Sequence, residues 1–478
     1  MSKIVTRFAP SPTGYIHVGN IRAALFPYLL AYQNNGTMIL RIEDTDQARF
    51  VEGATDLIVD SLKWVGIEWN EGYIVGGQHG PYEQSHRKEI YLKYAQKLIE
   101  QGKAYADPYS AEQVESFRQE SISQKKPFLY RNYRPTNPPK WDGSQPLRLK
   151  IEPKATSWND PIMGKLSAGP EAQDDFILIK SDGLPTYNFA HIVDDNEMGV
   201  THVIRGLEYI SSIPKYLSLY EALNIKPPIL ACMPHILAPE GNKKLGKRDG
   251  AKSVTEYRKQ GILPEAMMNF LAALGWNDGT DQEIYTKQEL IEKFSLDKVQ
   301  KSGARFDEKK LLWINGQWIR RISLDDLYER VAEYWPISSK EYDEDYKKSV
   351  LKIAQDRLKT LSDLSTLTSF FFEEPKMDKS LISGNKQLGK LGQDELVSIL
   401  KESIKALDNI EVFNASNIQT ALNNMLVSLN QKPIVLFSLI RISTTWAEYS
   451  PELPSSLEIL GKPQTIERLK NSLHYLEK

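Results

Sequence analysis

Between Arg7 and Asn20 the chain reads Arg-Phe-Ala-Pro-Ser-Pro-Thr-Gly-Tyr-Ile-His-Val-Gly-Asn. The segment leaves a strand-like run, turns on Pro, Ser and Gly, and opens a helix. Small residues let a ligand approach the backbone closely. A helix N-terminus presents unpaired N–H groups and a partial positive charge, which suits phosphate, and His17 stands beside it. A strand-to-helix turn with a capping histidine would leave the same pattern. A second constellation is Gly241-Asn-Lys-Lys-Leu-Gly-Lys-Arg-Asp-Gly250. Its spacing fits the Gly-x4-Gly-Lys of a P-loop, but the next residue is Arg248 where Ser or Thr should hold magnesium. The preceding Pro-Glu-Gly also reads as a turn rather than a strand, so a P-loop is rejected. What remains is a Gly-flanked loop with Lys243, Lys244, Lys247 and Arg248, able to close over a triphosphate or simply exposed. The third constellation, Arg41-Ile-Glu43-Asp44-Thr-Asp46, ends a strand. Its carboxylates could bind a cation or an amino group, or be solvated loop charges. In an α/β sheet the carboxyl ends of strands are where ligands bind.

These groups need elements to position them. Residues 3–9 read as a strand, 10–14 as a turn, 20–33 as a helix and 37–42 as a strand, the start of a βαβ unit and a parallel sheet. Pro27 removes an N–H donor inside that helix, which predicts a kink. Residues 105–160 are polar and loop-rich. Ser110 with Gln113 predicts a capping box, and the Pro-rich run 131–146 should be irregular. Strand patterning returns at 147–151 and 176–180, as expected of a region inserted between two halves of a sheet domain. Beyond residue 260 the patterning is almost entirely helical. Pro264 suits a first helical position, Gly275 suits the position after a helix, and Ser323 with Asp326 predicts another cap. Leu396, Ile399, Leu400, Ile404 and Leu407 keep helical spacing, as do Ile466, Leu469, Leu473 and Leu476. Trp313, Trp318 and Trp446 are expected in the core rather than as stacking platforms.

The chain has 478 residues, enough for about three domains. Apolar residues are 41% and charged residues 26%, with a net charge of −2. Disorder as the main state is excluded, and the near-neutral balance argues against generic electrostatic wrapping of nucleic acid while leaving room for a local basic surface. Cys232 is the one cysteine, so no internal disulfide and no Cys-based zinc site is expected. No signal-peptide or transit pattern and no bilayer-length apolar run is read, which predicts a reduced, cytoplasmic setting without membrane contact.

An early His-x-Gly-x turn and a Lys-Leu-Gly-Lys-Arg loop about 230 residues later resemble the paired motifs of class I aminoacyl-tRNA synthetases. The segments Arg-Phe-Ala-Pro-Ser-Pro-Thr-Gly, Leu-Arg-Ile-Glu-Asp-Thr-Asp and Gly-Pro-Tyr-Glu-Gln-Ser resemble the glutamyl/glutaminyl branch. So do Asp182-Gly-Leu-Pro-Thr-Tyr187, Val193-Asp-Asp195, Val203-Ile-Arg205-Gly, Leu263-Pro-Glu-Ala-Met-Met-Asn-Phe-Leu and Phe306-Asp-Glu-Lys-Lys-Leu. The likeness spans essentially the whole chain and is nearest the glutamyl family of bacterial type. Asn20 stands where a second histidine occurs in many relatives, and Gly246 replaces the usual Ser of the second motif. A cysteine-ligated zinc found in some relatives cannot be built here.

The resemblance implies an α/β fold: a Rossmann-type parallel-sheet catalytic domain with an inserted α+β acceptor-binding domain, then all-α stem-contact and anticodon-binding domains. It divides the chain into 1–80 with 193–245 (catalytic), 81–192 (inserted), 246–322 (stem contact) and 323–478 (anticodon). It implies activation of L-glutamate by ATP with magnesium and transfer to tRNA(Glu) by a monomer. His17 and Lys247 would be catalytic. His17, Gly19, Asn20, Glu208, Leu237, Lys244, Lys247 and Arg248 would bind ATP. Arg7, Ala9, Ser11, Glu43, Tyr187, His191 and Arg205 would bind glutamate, and Arg357 would approach the anticodon. Among the alternatives, a glutamyl-queuosine enzyme would lack the long helical C-terminal region, and a glutaminyl enzyme should end in β-barrels. A catalytically silent tRNA-binding paralogue would explain Gly246 but not the retained His17, Lys247, Arg7 and Glu43. A small-molecule adenylyltransferase would need no tRNA.

Overall fold

Val5–Phe8 forms β1, and it pairs in parallel with β2 (Thr37–Leu40), Val5 opposite Thr37 and Phe8 opposite Leu40. The structure is a computed structural model that describes residues 3–14, 16–246 and 252–478. Helix α1 (Val18–Gln33) makes the crossover between these strands. It is apolar nearly all round, which is the composition of a helix buried on several sides, and Ile21, Ala24, Leu25, Phe26, Tyr28 and Leu29 have no exposed surface. The helix is continuous across Pro27, whose carbonyl accepts from Thr6 Oγ1 at 2.9 Å. After α2 (Ala54–Val65), β3 (Glu71–Gly72) adds in parallel to β2. Gly72 is required there: its φ is +125°, and a Cβ would lie 2.2 Å from Leu40 O.

The chain next forms α3 (Lys88–Glu100), β4 (Ala104–Ala106), α4 (Ala111–Ser123), β5 (Leu147–Leu149), the hairpin β6 (Thr156–Asp160) and β7 (Gly164–Ala168), and β8 (Ile177–Ile179). Strands β4, β5 and β8 form an antiparallel sheet in that order. Ser110 and Gln113 make the reciprocal cap that their spacing predicts, worth about 1 kcal/mol. The Pro-rich run is mostly irregular but tethered. Asp175 accepts from Arg134 Nε at 2.6 Å and Tyr105 OH at 2.7 Å, and Asp107 accepts from Arg148 Nε at 2.6 Å. The inserted sheet shares its core with the parallel sheet: Tyr91, Leu98, Leu147, Leu178, Phe189, Val203 and Leu219 belong to one cluster. Each such side chain contributes roughly 1.5–3 kcal/mol by leaving water.

Helix α5 (Tyr187–Glu197) leads to β9 (His202–Gly206), and α6 (Ile213–Leu223) leads to β10 (Ile229–Met233). These strands are parallel, with Cys232 opposite Arg205. They adjoin β1 through Thr201 N–H, which donates to Val5 O at 2.9 Å. Asp160 on the inserted hairpin accepts from Cys232 N–H at 2.8 Å, so the hairpin covers the outer edge of β10. Next comes β11 (Ile236–Leu237), which pairs in parallel with β12 (Ala304–Arg305), a short strand inside a stretch that patterns as helical. Between them lie α7 (Val254–Lys259), α8 (Pro264–Ala273) and α9 (Lys287–Lys293). Pro264 opens α8, and Gly275 follows it with φ +101°.

Two compact units divide the chain, Met1–Tyr257 with Pro264–Glu308 and Arg258–Leu263 with Lys309–Lys478. Among its described residues the second unit contains helices and no strand. Its core includes Val350, Phe370, Leu400, Leu407, Leu436 and Leu469. Ser323 caps its helix by accepting from Asp326 N–H, as predicted. No helix of the described residues is long and apolar enough to cross a membrane.

Candidate active site

A cavity of about 450 Å³ opens where β1 and β9 end. Arg7, Ala9, Ser11, His17, Gly19, Asn20, Glu43, Tyr187, Arg205, Glu208 and Lys244 all line it, so residues scattered over 237 positions of sequence converge there. At its inner end the charges are buried and mutually paired. Arg41, with no exposed surface, donates Nη2–H to Glu43 Oε1 and Nη1–H to Asp195 Oδ1, both at 2.9 Å. Arg7 Nε meets the same Asp195 oxygen at 3.2 Å. Asp194, beside it on α5, accepts from Arg87 Nε at 2.7 Å, Gln84 Nε2 at 2.8 Å and Tyr91 OH at 2.9 Å. Burial works against the Asp195 carboxylate, but Arg7 and Arg41 outweigh it and hold the carboxyl well below its ordinary range. Burial pushes the Glu43 carboxyl up, against the pull of Arg41 and Arg7.

Arg205 differs from its neighbours. Among the described residues it has no carboxylate in ion-pair contact. It donates to the Tyr187 hydroxyl and to His191 Nε2 (3.2 Å), lies 3.9 Å over the Tyr209 ring, and leaves Nε without a partner. His191 does not line the cavity: it is 2% exposed and stacks behind Tyr187 with ring centroids 4.9 Å apart. Burial first, and the adjacent Arg205 second, hold its pKa well below 6.5. A neutral ring that accepts at Nε2 carries its proton on Nδ1, assigned here from the hydrogen-bond pattern.

The outer end carries the two motifs. His17 is the N-cap of α1: its Nδ1 accepts from Gly19 N–H at 3.0 Å, and Asn20 Oδ1 accepts from His17 N–H at 3.1 Å. The capping reading of His17 is thus what the geometry shows, and the same residue lines the cavity. With Nδ1 accepting, the neutral ring bears its proton on Nε2. Gly19 is needed for this cap, because a Cβ would lie 2.8 Å from His17 Cε1. Lys244 Nζ pairs with Glu208 Oε1 at 2.8 Å, and His235 Nδ1 approaches Glu208 Oε2 at 3.5 Å. Lys244 and Glu208 are 52% and 43% exposed, and Arg205 makes no bridge to Glu208. Leu237 does not line the cavity. Its backbone joins Lys244 and Phe306 instead, while Ile236 and Leu245 form the nearby wall. Lys247 and Arg248 lie outside the described residues.

The acids of the third constellation do not act together. Glu43 faces the cavity, Asp44 accepts from Ser85 N–H at 2.8 Å, and Asp46 is exposed beside Arg49. Among the described residues no group of three or more His, Cys, Asp or Glu side chains is placed to hold a metal ion.

The sequence profile described as class I tRNA synthetases (E and Q), catalytic domain, matches residues 3–313. The chain belongs to this family. A second profile, an anticodon-binding domain, matches residues 326–473. The chain is 41% identical over 477 residues to a protein named glutamate–tRNA ligase 2 from Caldicellulosiruptor saccharolyticus, covering 98% of both chains. It is 40% identical to a glutamate–tRNA ligase from Clostridium botulinum, covering 100% of this chain and 99% of that one. A crystal structure of a glutamate tRNA ligase from Elizabethkingia meningosepticum, in complex with its amino acid, superposes with a TM-score of 0.86 at 31% identity, covering 99% and 100%.

In this class I synthetase the second unit presents Arg357, exposed, close enough to Arg441 that burial and the Arg357 charge together lower the Arg441 pKa. Arg441 Nε donates to Ser450 Oγ at 3.0 Å, and neither arginine makes an ion pair among the described residues. Of the tryptophans, Trp446 is core at 8% exposed, whereas Trp313 is 40% exposed with Lys310 Nζ 4.2 Å over its ring. Reading the sequence missed Arg22, Arg41, Asp195 and Arg441. The signals were present as an arginine five residues after His17 on one helix and as the paired aspartates Asp194 and Asp195 on the helix that begins at Tyr187.

Proposed function

We propose that the chain is a glutamate–tRNA ligase, which joins L-glutamate to ATP as glutamyl-adenylate and passes it to the 3′ end of tRNA(Glu), releasing pyrophosphate and AMP. The observation that carries this reading is the charge balance at the inner end of the cavity. Arg7, Arg41, Arg87 and Arg205 stand against Glu43, Asp194 and Asp195, one positive charge in excess, with His191 neutral. Glutamate carries one net negative charge and neutralises the cluster. Glutamine carries none and would leave a buried guanidinium unpaired, which is costly.

In this reading Arg205 and the Nη groups of Arg7 take the two carboxylates, since a planar fork matches a carboxylate. Arg41 holds Glu43 Oε1, leaving Oε2 for the substrate ammonium, and Ala9, Ser11, Tyr187 and, behind it, His191 complete the pocket. The α-carboxylate oxygen attacks the α-phosphorus, the bond to the β-phosphate oxygen breaks, and pyrophosphate leaves with the electron pair. His17 Nε2–H would donate to the phosphate oxygens, with Lys244, Lys247 and Arg248 as cations for the leaving group and Glu208, Asn20 and Gly19 around the nucleotide; Leu237, outside the cavity wall, would act only through the backbone bridge to Lys244. Catalysis would be positioning and charge stabilisation, with no covalent enzyme intermediate. The terminal tRNA 2′-hydroxyl then attacks the acyl carbon and AMP departs. Magnesium would arrive with the nucleotide, because among the described residues the cavity wall near the motifs offers cations and the Glu208 carboxylate rather than a cluster of acids; bound there, it would neutralise phosphate charge. We keep the division 1–80 with 193–245, 81–192, 246–322 and 323–478 as catalytic, acceptor-binding, stem-contact and anticodon parts, with Arg357 at the anticodon. A cytoplasmic monomer is the proposed state.

The test is glutamate-dependent ATP–pyrophosphate exchange, with and without total tRNA, followed by charging of tRNA(Glu). Exchange that requires tRNA is expected. Exchange of equal rate without tRNA would favour the queuosine-type enzyme or a small-molecule adenylyltransferase, and no exchange in either would favour a silent paralogue.

A further inference from the structure

Arg22 is buried in the wall of the cavity and, among the described residues, bonds to nothing acidic. It lies on α1, five residues after His17, and is 4% exposed. Its Nη1 donates to Leu274 O at 2.7 Å, its Nη2 donates to Pro234 O, and its Nε has no partner. No carboxylate among the described residues forms an ion pair with it. A buried guanidinium ordinarily has one, since desolvation of an uncompensated charge is costly. Burial lowers its pKa to about 10, with Glu208 a partial offset, so it remains charged at neutral pH.

Both acceptors have a reason to be there. Leu274 follows the last residue of α8, where helix carbonyls lack partners and the macrodipole is negative. Pro234 is the first residue after β10, and from it the chain runs through β11 into the arm that carries Lys244. That arm is held by Ala238 N–H to Lys243 O at 2.9 Å and Leu245 N–H to Ile236 O at 2.8 Å. One guanidinium thus joins the helix that His17 caps, the base of the arm bearing Lys244, and the end of α8.

We propose that Arg22 is a positioning residue for the phosphate half of the reaction: it fixes the base of the second-motif arm against the first-motif helix, so that His17 and Lys244 address the same triphosphate. This rests on the adenylation reading above.

The test compares the full-length chain with Arg22→Lys, which keeps the charge but lacks the planar fork that holds both carbonyls at once, and Arg22→Gln, which loses the charge. In exchange assays Arg22→Lys should lower kcat about tenfold and raise the ATP KM severalfold, with the glutamate KM within about twofold and the melting temperature nearly unchanged. Arg22→Gln should be worse in kcat. Parental kcat and ATP KM in Arg22→Lys would overturn the proposal, and so would equal rises of both KM values together with a lower melting temperature. Equilibrium binding of ATP alone, expected to weaken in Arg22→Lys, reads Arg22 even if the parent shows no glutamate-dependent exchange. That last result would count against the adenylation reading instead.

Discussion

The two ends of the cavity handle charge in opposite ways. At the inner end Arg7, Arg41, Glu43 and Asp195 are each under a tenth exposed and are already paired with one another. At the outer end Lys244 and Glu208 meet about half in water. The desolvation cost of the inner end is therefore met during folding, and its geometry is set before substrate arrives. The pair at the outer end is screened and worth about 1 kcal/mol or less, so it exchanges readily for phosphate. If the proposed function holds, such a site would select its amino acid with a rigid lattice of charges and gather its nucleotide with cations that can change partners.

Breaking the inner lattice should have the largest effect. Asp195→Asn removes the carboxylate shared by Arg7 and Arg41 and leaves both guanidiniums short of a counter-ion. Loss of one partner from a buried pair costs about 3–5 kcal/mol, which denaturant unfolding would register. A loss below about 1 kcal/mol would mean that the lattice is as replaceable as a surface pair, and the contrast between the two ends would fail. Arg205→Ala comes next, because among the described residues Arg205 is the inner cation with no carboxylate in ion-pair contact. It should raise the glutamate KM about a hundredfold, roughly 2.7 kcal/mol, while the ATP KM moves little. Comparable rises in both would show that Arg205 does not distinguish the two substrates. At the outer end Lys244→Ala should raise the ATP KM about fivefold, near 1 kcal/mol, with no measurable change in unfolding. A destabilised Lys244→Ala would show that the Glu208 pair is structural after all.

How much of this could be read in the sequence follows the same division. The strand, turn and helix around His17 are local, and so is the Ser110–Gln113 cap; both are fixed by residues within a few positions of one another. Arg7, Glu43, Tyr187 and Arg205 were assigned through motif resemblance, and they line one cavity. Composition could not have sorted Glu43 from Asp44 and Asp46. Their different fates depend on where the chain turns after β2 and on Ile42 bridging to Glu83. Arg22 looks like an ordinary helix cation until its acceptors, 212 and 252 residues away, are seen. Asp195 likewise depends on Arg7, 188 residues distant. The two-residue strand β12 has no periodicity to detect. Contacts of this range are set by tertiary packing, which a single sequence does not spell out.

The smallest expected effect concerns His191, and it tests whether the inner lattice is tuned in charge as well as in shape. The ring is enclosed by Tyr187 and Tyr216, with Arg205 against Nε2 and Asp195, Arg7 and Arg41 near it. Burial is the chief cause of its depressed pKa, the arginines add to it, and Asp195 does not compensate. An unfolded chain would protonate this residue near pH 6.5. Between that value and the depressed folded one, the unfolded state binds more protons, so stability is complete above pH 6.5 and falls as the pH drops below it. One such group removes about 0.8 kcal/mol between pH 7.5 and pH 6. His191→Asn offers Arg205 an amide acceptor that does not titrate, so the variant should lose about that much less than the parent over this interval in denaturant unfolding. His202 and His235, also depressed by burial, leave a residual slope common to both proteins. An unchanged difference between the two pH values would assign the whole slope to them. Because a protonated His191 would add a second uncompensated positive charge at the inner end, the fold resists its titration there.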